Sequence, residues 1–473
     1  MSERKYAIIG AGITGLTSAH LLLSLDPDCS VTIFERNIPG GNLQTIKVGG
    51  ITVDAGPDNF ITKKTHAYDL AVELGLKDNL MVPTMGTVEI FNGDSLKKYP
   101  AGTYMGIPTD SIELKKAGIV SENSLKKFQK EKKFSKHNGG DVTLGALLTP
   151  RFGNEIVDLL IEPIMAGIHA GTVDSLGVAA TAPELLAAAV STGSLTENLK
   201  HLLPKKESLN SITEDRLPTF LGISGGMNLL TSKLLDSIIV SNSVSILIGH
   251  RVEQISLNNQ NHKKQVVIIN DNEKSYEFDG AVVATDAKTA VKLFGTIDKG
   301  IADELSNIQV ASVAMVFFAF EIDNLIDSSQ RRGILIPRSL NSMSTAITFL
   351  SNKWKSMRDE KTAIIRVAVG GIGNQRHLDI TKDELITSTL KELQEILGIN
   401  LAPHDTQVVY FNNAFTQYGV NHLQLANKIK DQIAALGNIR LASAILGGVG
   451  LSDRILAGAK AASELIPKDK LPF

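Results

Sequence analysis

The chain has 473 residues, too many for one hydrophobic core, so two or three domains are expected. Hydrophobic residues make up 43% and charged residues 21%, the mix of a globular protein, and a net charge of −2 excludes a nucleic-acid binder that works by overall positive charge. Cys29 is the single cysteine, which excludes an intrachain disulfide and a cysteine-built metal site.

Lys5 to Ile9 (KYAII) reads as a short apolar strand, and Gly10-Ala11-Gly12-Ile13-Thr14-Gly15 follows it directly. Leu16 to Leu25 reads as a helix and Val31 to Phe34 as a second strand, closed by Glu35. Strand, G-x-G-x-x-G, helix, strand and acid together form the dinucleotide-binding fingerprint. Gly10 permits the tight turn, Gly12 lets the backbone approach a pyrophosphate, and Gly15 lets the helix pack close to the sheet. The helix N-terminus offers free N–H groups to phosphates, and Glu35 stands where a carboxylate accepts hydrogen bonds from ribose hydroxyls. A strand this close to Met1 leaves no room for a secretory leader, and the longest apolar runs, Val310 to Phe320 and Leu441 to Leu451, are too short to span a bilayer. A soluble, cytoplasmic protein is the expectation.

From about Ile112 the chain changes character. Lys115, Lys116, Lys126, Lys127, Lys130, Lys132, Lys133 and Lys136 stud a basic stretch, and Thr143 to His201 looks helical throughout. The basic stretch is read as a solvated helical surface, with attraction to an anionic lipid surface or an acidic substrate as the sharper reading. Strand patterns return at Val244 to Ile248, Val266 to Ile269 and Ala281 to Ala284, which suit a sheet completing the nucleotide domain. Val310 to Phe320, Gly333 to Ile336, Thr345 to Phe349 and Ala363 to Val369 suggest a second, largely antiparallel sheet. Arg440 to Ala444, Gly447-Gly448-Val449-Gly450 and Ser452 to Ile466 then give strand, turn and helix. The expected fold class is α/β: a discontinuous Rossmann-type domain (1–55, 206–305, 425–473), an antiparallel-sheet substrate domain (56–111, 306–424) and a helical insertion (112–205).

After Glu35-Arg36 come Gly40-Gly41-Asn42-Leu43-x-Thr45 and Asp54-Ala55-Gly56-Pro57-Asp58-Asn59-Phe60. The first resembles the second signature of FAD-dependent amine oxidases, phytoene desaturases and porphyrinogen oxidases, and the second resembles GPDSF. Pro100 to Thr109 resembles PKG-x-x-MGIPT, and Leu160 to Gly171 (LIEPIMAGIHAG) resembles LIEPLLSGIYAG. Ser224 to Met227 matches the family turn S-x-G-[GL] loosely. Asn352-Lys353-Trp354, Gln417-Tyr418 and Gly448 to Asp453 resemble a lysine–tryptophan pair, PQY and GVGIPD. Over nearly its whole length the chain is similar to the oxygen-dependent protoporphyrinogen/coproporphyrinogen III oxidase family, in its soluble Gram-positive type, of haem synthesis. Three positions depart from the family pattern: Asn42 replaces a cation, Phe411 replaces a tryptophan, and Thr416 replaces a proline.

The resemblance implies FAD as cofactor, held by Gly10 to Gly15, Glu35, Arg36, Gly41, Asn42, Gly56, Pro57, Asp58, Asn59, Val252 in the strand from His250 to Ile255, Phe411, and Gly448 to Leu451. It implies oxidation of a porphyrinogen to a porphyrin, a six-electron change made in three two-electron steps, with molecular oxygen as acceptor and hydrogen peroxide as product. The flavin carries the redox chemistry, so no strong side-chain acid or base is required, and no metal. Coproporphyrinogen carries four propionates, for which Lys63, Lys64, Arg338 and Lys353 are the candidate cations, Lys64 foremost. Ile168, Met343 and Ile347 are apolar candidates for the macrocycle face, and His169 is read as a structural polar residue. Contact with ferrochelatase or with a membrane surface is a partner expectation of the same resemblance; no nucleic acid is expected. Protoporphyrinogen IX oxidase, an amine oxidase or carotenoid desaturase, and a flavin- or tetrapyrrole-binding protein without turnover are the competing readings.

Overall fold

The structure, a computed structural model, describes residues 3–131, 137–203, 217–260, 263–321, 330–400 and 402–467. Lys5–Ile9 has one exposed residue followed by four buried ones, the pattern of a strand covered on both faces. It lies at the centre of a five-stranded parallel sheet ordered Val244–Ile248, Ser30–Glu35, Lys5–Ile9, Gly280–Val283, Ile439–Leu441. Alternation with period two sends Tyr6 and Ile8 to one face and Ala7 and Ile9 to the other. Tyr6 and Ile8 join a core shared with the helices Ile13–Leu25, Asn228–Ile239 and Leu451–Ser463. Ala7 and Ile9 join a second core with the meander Val252–Gln260, Lys263–Asn270, Ser275–Phe278 and the helices Ala287–Gly295, Lys299–Ser306 and His422–Leu436.

The helices Ile13–Leu25 and Leu451–Ser463 cross through a glycine. A Cβ on Gly458 would stand 2.2 Å from the Thr14 carbonyl oxygen, and the Ser18 hydroxyl donates to the Gly458 carbonyl at 2.9 Å. The first and last parts of the fold are therefore in backbone contact.

A seven-stranded sheet runs Asp405–Thr416, Val310–Glu321, Thr362–Gly370, Ser344–Phe349, Arg331–Leu335, Thr87–Phe91, Leu96–Lys98. Every pairing is antiparallel except Arg331–Leu335 with Thr87–Phe91. On one face Val316, Phe318, Ile347, Ile365 and Val367 pack against Leu385, Leu393 and Ile396 of the helix Lys382–Leu397. The opposite face carries Phe317 beside Arg366 and Thr348, then Met315 beside Ala368 and Ala346. Except for Phe317, the side chains of that second row are half-buried. One side of the sheet is dry core and the other is a partly open floor.

The strands expected from sequence at Val310, Gly333, Thr345 and Ala363 are all present, and their mixed α/β setting is as expected. The stretch from Thr143 to His201, expected to be helical, is a series of short helices. Gly153 (φ 86°) ends one, Ala170 in the left-handed conformation (φ 51°) ends another, and Pro183 starts a third. These helices, with Ser111–Ala117 and Glu122–Gln129, enclose a core of their own around Leu147, Phe152, Leu160 and Leu185. Of the basic stretch, Lys132, Lys133 and Lys136 lie outside the described residues. Among the described residues no helix is long and apolar enough to cross a membrane.

Candidate active site

At its first and last glycines the G-x-G-x-x-G segment leaves no space for a side chain. Gly10 has φ 102°, and a Cβ there would lie 2.6 Å from the Ala284 carbonyl oxygen. At Gly15 a Cβ would stand 1.9 Å from the Gly10 oxygen, so the helix can press on the sheet only as glycine. Gly12 begins the helix Ile13–Leu25 without any side-chain cap, which leaves its first N–H groups available to an anion. The Glu35 carboxylate is buried and accepts the Ala11 amide at 2.8 Å on one oxygen and the Asn37 amide at 2.8 Å on the other. Arg36 is exposed and pairs with Asp286 at 3.6 Å.

The later motifs converge on this turn by backbone contact. Gly40 donates its amide to the Ala11 carbonyl at 2.8 Å, and a Cβ on Gly41 (φ 61°) would stand 3.1 Å from the Gly12 Cα. Gly56 packs against the Asn42 carbonyl, 2.3 Å from where its own Cβ would be, and against the Phe411 ring. Pro57 is exposed beside it. The amide of His250 donates to the Glu35 carbonyl at 3.1 Å, which brings buried Val252 to the end of the acid-bearing strand. Gly447 and Gly448 have φ of 121° and 74°, and Val449 and Gly450 lead into the helix from Leu451, again without a side-chain cap. Asp453 folds back on this turn; a Cβ on Gly448 would strike its side chain at 2.5 Å. Glycine-only approaches, two uncapped helix starts and a buried acid at the strand end fit a dinucleotide.

Asp58 anchors this region to the seven-stranded sheet. Its carboxylate accepts Lys353 Nζ at 2.8 Å, Trp354 Nε1 at 2.7 Å and Asn59 Nδ2 at 3.0 Å, and Arg366 lies 3.6 Å away. Burial alone would raise its pKa, but the Lys353 and Arg366 cations hold the carboxyl well below the usual range. Arg366 also donates to the Gly56 carbonyl at 3.1 Å. Asp54 is the contrasting acid: burial, with Asp58 adding, pushes it up to about 7, although it accepts the Met227 amide at 2.7 Å.

The four candidate cations are all paired with carboxylates. Lys63 meets Glu184 at 2.5 Å and Lys64 meets Asp453 at 2.6 Å, with both lysine side chains about two-thirds exposed. Ser452 Oγ donates to the Lys64 carbonyl at 2.7 Å, so Lys64 stands beside the Gly448–Gly450 turn. Lys353 is half-buried on Asp58, and Arg338 is 3.1 Å from Glu162, a buried carboxyl whose pKa burial raises. Arg338 also donates to the Ile372 carbonyl. Lys63 and Lys64 are thus mostly exposed, whereas Lys353 and Arg338 are partly buried ties. Among the apolar candidates Ile168 is 40% exposed, Met343 is half-buried, and Ile347 lies in the covered core on the far side of the sheet.

Sequence reasoning missed Arg366, Arg332, Glu162 and Asp453. Arg366 did carry a signal, as the lone charge within the apolar strand Thr362–Gly370. His169 is 4% exposed between helix and sheet, with its ring against Tyr418 (6.3 Å between centroids) and burial lowering its pKa to about 4. Tyr418 stacks in turn near His422, 4.5 Å between ring centres.

Comparison with known proteins gives a full-length match. Residues 13–466 match the family described as flavin containing amine oxidoreductase. The coproporphyrinogen III oxidase of Staphylococcus aureus is 30% identical, over 98% of this chain and 99% of its own. That of Bacillus subtilis is 26% identical over 92% and 91%. An Exiguobacterium crystal structure, provisionally named protoporphyrinogen oxidase, superposes with TM-score 0.86 at 24% identity and covers 98% of both chains.

Proposed function

The chain belongs to the flavin containing amine oxidoreductase family, and from that premise we propose that it oxidises coproporphyrinogen III to coproporphyrin III with molecular oxygen as acceptor. The observation that carries the reading is the likeness to the Staphylococcus aureus coproporphyrinogen III oxidase across 98% of this chain. The cofactor is FAD. When bound, FAD accepts electrons in pairs, so three such steps remove the six that separate a porphyrinogen from a porphyrin.

The chain's own residues supply position and electrostatics. Gly10 to Gly15, Gly41 and Glu35 would hold the dinucleotide, and Gly56 to Asn59, Phe411 and Gly448 to Leu451 would hold its flavin. The half-buried floor of Met315, Ala346, Thr348 and Ala368 offers a flat, mostly apolar surface to a macrocycle. Lys63 and Lys64, mostly exposed, would take substrate propionates in exchange for their partners Glu184 and Asp453. An exposed ion pair is worth about 1 kcal/mol or less, so that exchange costs little. Contact with ferrochelatase or a membrane surface belongs to the same reading.

The test is porphyrin fluorescence from FAD-loaded protein given coproporphyrinogen III or protoporphyrinogen IX in air, with peroxide measured alongside. Faster growth with the tetracarboxylate is expected. Faster growth with protoporphyrinogen IX would reassign the substrate, and stoichiometric binding without turnover would leave a carrier.

A further inference from the structure

The seam between the Gly56–Asn59 loop and the seven-stranded sheet contains more cations than carboxylates. Asp58, 4% exposed, is the one fully ionised acid, and both Lys353 and Arg366 are directed at it. Arg332 belongs to the same neighbourhood: together with Arg366 it acts against protonation of Lys353, which burial already depresses, while Asp58 acts in the other direction. Arg332 Nε is itself buried without a hydrogen-bond partner among the described residues. The second acid within reach is Asp54, whose carboxyl is pushed up to about 7 and is therefore only partly ionised at neutral pH. Lys353 and Arg366, with Arg332 adding its charge beside Lys353, thus meet one full and one partial negative charge. Buried charge left unbalanced is costly unless an anion supplies the balance.

The surplus is tied to the cofactor loop. Arg366 donates to the Gly56 carbonyl, Gly56 packs on the Asn42 carbonyl and the Phe411 ring, and neighbouring Gly41 packs on Gly12. An unbroken series of contacts leads from the cations to the dinucleotide turn. Resting on the FAD reading above, we propose that Lys353 and Arg366, held in place by Asp58, form a cationic wall behind the cofactor loop that favours the negative charge the flavin gains on reduction. Asp58 is the positioning residue of this wall. It fixes two cations that would repel each other, and through Trp354 and Lys353 it sets the spacing between loop and sheet floor. Fixed charges in a water-poor setting act on a nearby charge far more strongly than they would in solvent.

The measurement is the flavin midpoint potential of FAD-loaded protein, made on wild type and on Arg366→Gln, Lys353→Gln, Asp58→Asn and Trp354→Phe. The KM values for coproporphyrinogen III and protoporphyrinogen IX are taken on the same samples. The potential is expected to fall in Arg366→Gln and Lys353→Gln, to rise in Asp58→Asn, and to hold in Trp354→Phe, which removes an uncharged donor from the same carboxylate. A purely structural cluster would shift all four in one direction or none of them, and either result overturns the proposal. A wall built for a substrate carboxylate would leave the potentials unmoved while raising KM for the tetracarboxylate most; that also overturns it. Should Asp58→Asn fail to fold, the contrast of the two cation variants with Trp354→Phe still decides. Wild-type protein that retains no FAD would overturn the FAD reading itself, whereas retained FAD with unshifted potentials overturns the wall alone.

Discussion

The dinucleotide turn and the seam above it are neighbours built on opposite plans. Around Gly10, Gly12, Gly15 and Gly41 backbone packs on backbone, and at Gly10 and Gly15 the approach is closer than any Cβ tolerates. Around Asp58 it consists of long side chains, namely Lys353, Trp354 and Arg366, meeting on one carboxylate. The first plan is rigid and accepts no added atom. The second is held by charge, with Asp58 fixing two cations that would otherwise repel each other.

This contrast is broken most severely by adding atoms to the turn. Gly15→Val places carbon into the Gly10 carbonyl and should cost roughly 3 kcal/mol or more in stability. Bound FAD should be lost with it, read by thermal melting and flavin absorbance. Retention of both would show that the turn is softer than its contacts indicate. Acid should come next. The His169 pKa falls from 6.5 free to about 4 when folded, so the unfolded chain takes up the proton first as pH drops. Stability is then complete above pH 6.5 and is lost progressively toward pH 4, by about 3 kcal/mol at most. His169→Phe should flatten that part of a urea-denaturation series; an unchanged slope would assign the acid sensitivity elsewhere.

A smaller effect sharpens the contrast from the turn's single charged member. Glu35→Gln keeps the side-chain shape but weakens acceptance from Ala11 and Asn37, and should cost about 1.4 kcal/mol of FAD affinity, a tenfold rise in Kd by fluorescence titration. Smallest in stability is Lys64→Ala. Its exposed pair with Asp453 is worth less than about 1 kcal/mol in folding. Yet KM for coproporphyrinogen should rise well beyond that for protoporphyrinogen, and equal rises would remove Lys64 from propionate recognition.

The two plans also differ in how far sequence reveals them. Gly10 to Glu35 is legible because each requirement is local: a positive φ, a close approach or a strand-end acid is written within one supersecondary unit. The ion pairs are not. Lys353 finds Asp58 across 295 positions, Lys64 finds Asp453 across 389, and Lys63 finds Glu184 across 121. Lysines at the right motifs were therefore named as substrate cations, but nothing local disclosed that each already had an acid. Ile347 looked available for the same reason, since alternation shows that a strand has two faces but not which one a helix covers. The strand Asp405–Thr416 was also missed, because its asparagines weaken the β pattern and its existence depends on pairing with Val310–Glu321.

The glycine crossing between the first and last helices has a consequence for biosynthesis. Strand Ile439–Leu441 completes the parallel sheet, and the helix that follows seats Gly458 against Thr14. Ser18 reaches the Gly458 carbonyl across 440 positions, so the phosphate-binding turn is synthesised long before the surface on which its helix rests. A chain truncated before residue 439 should therefore lack the closed cradle, and loss of bound flavin absorbance is the check.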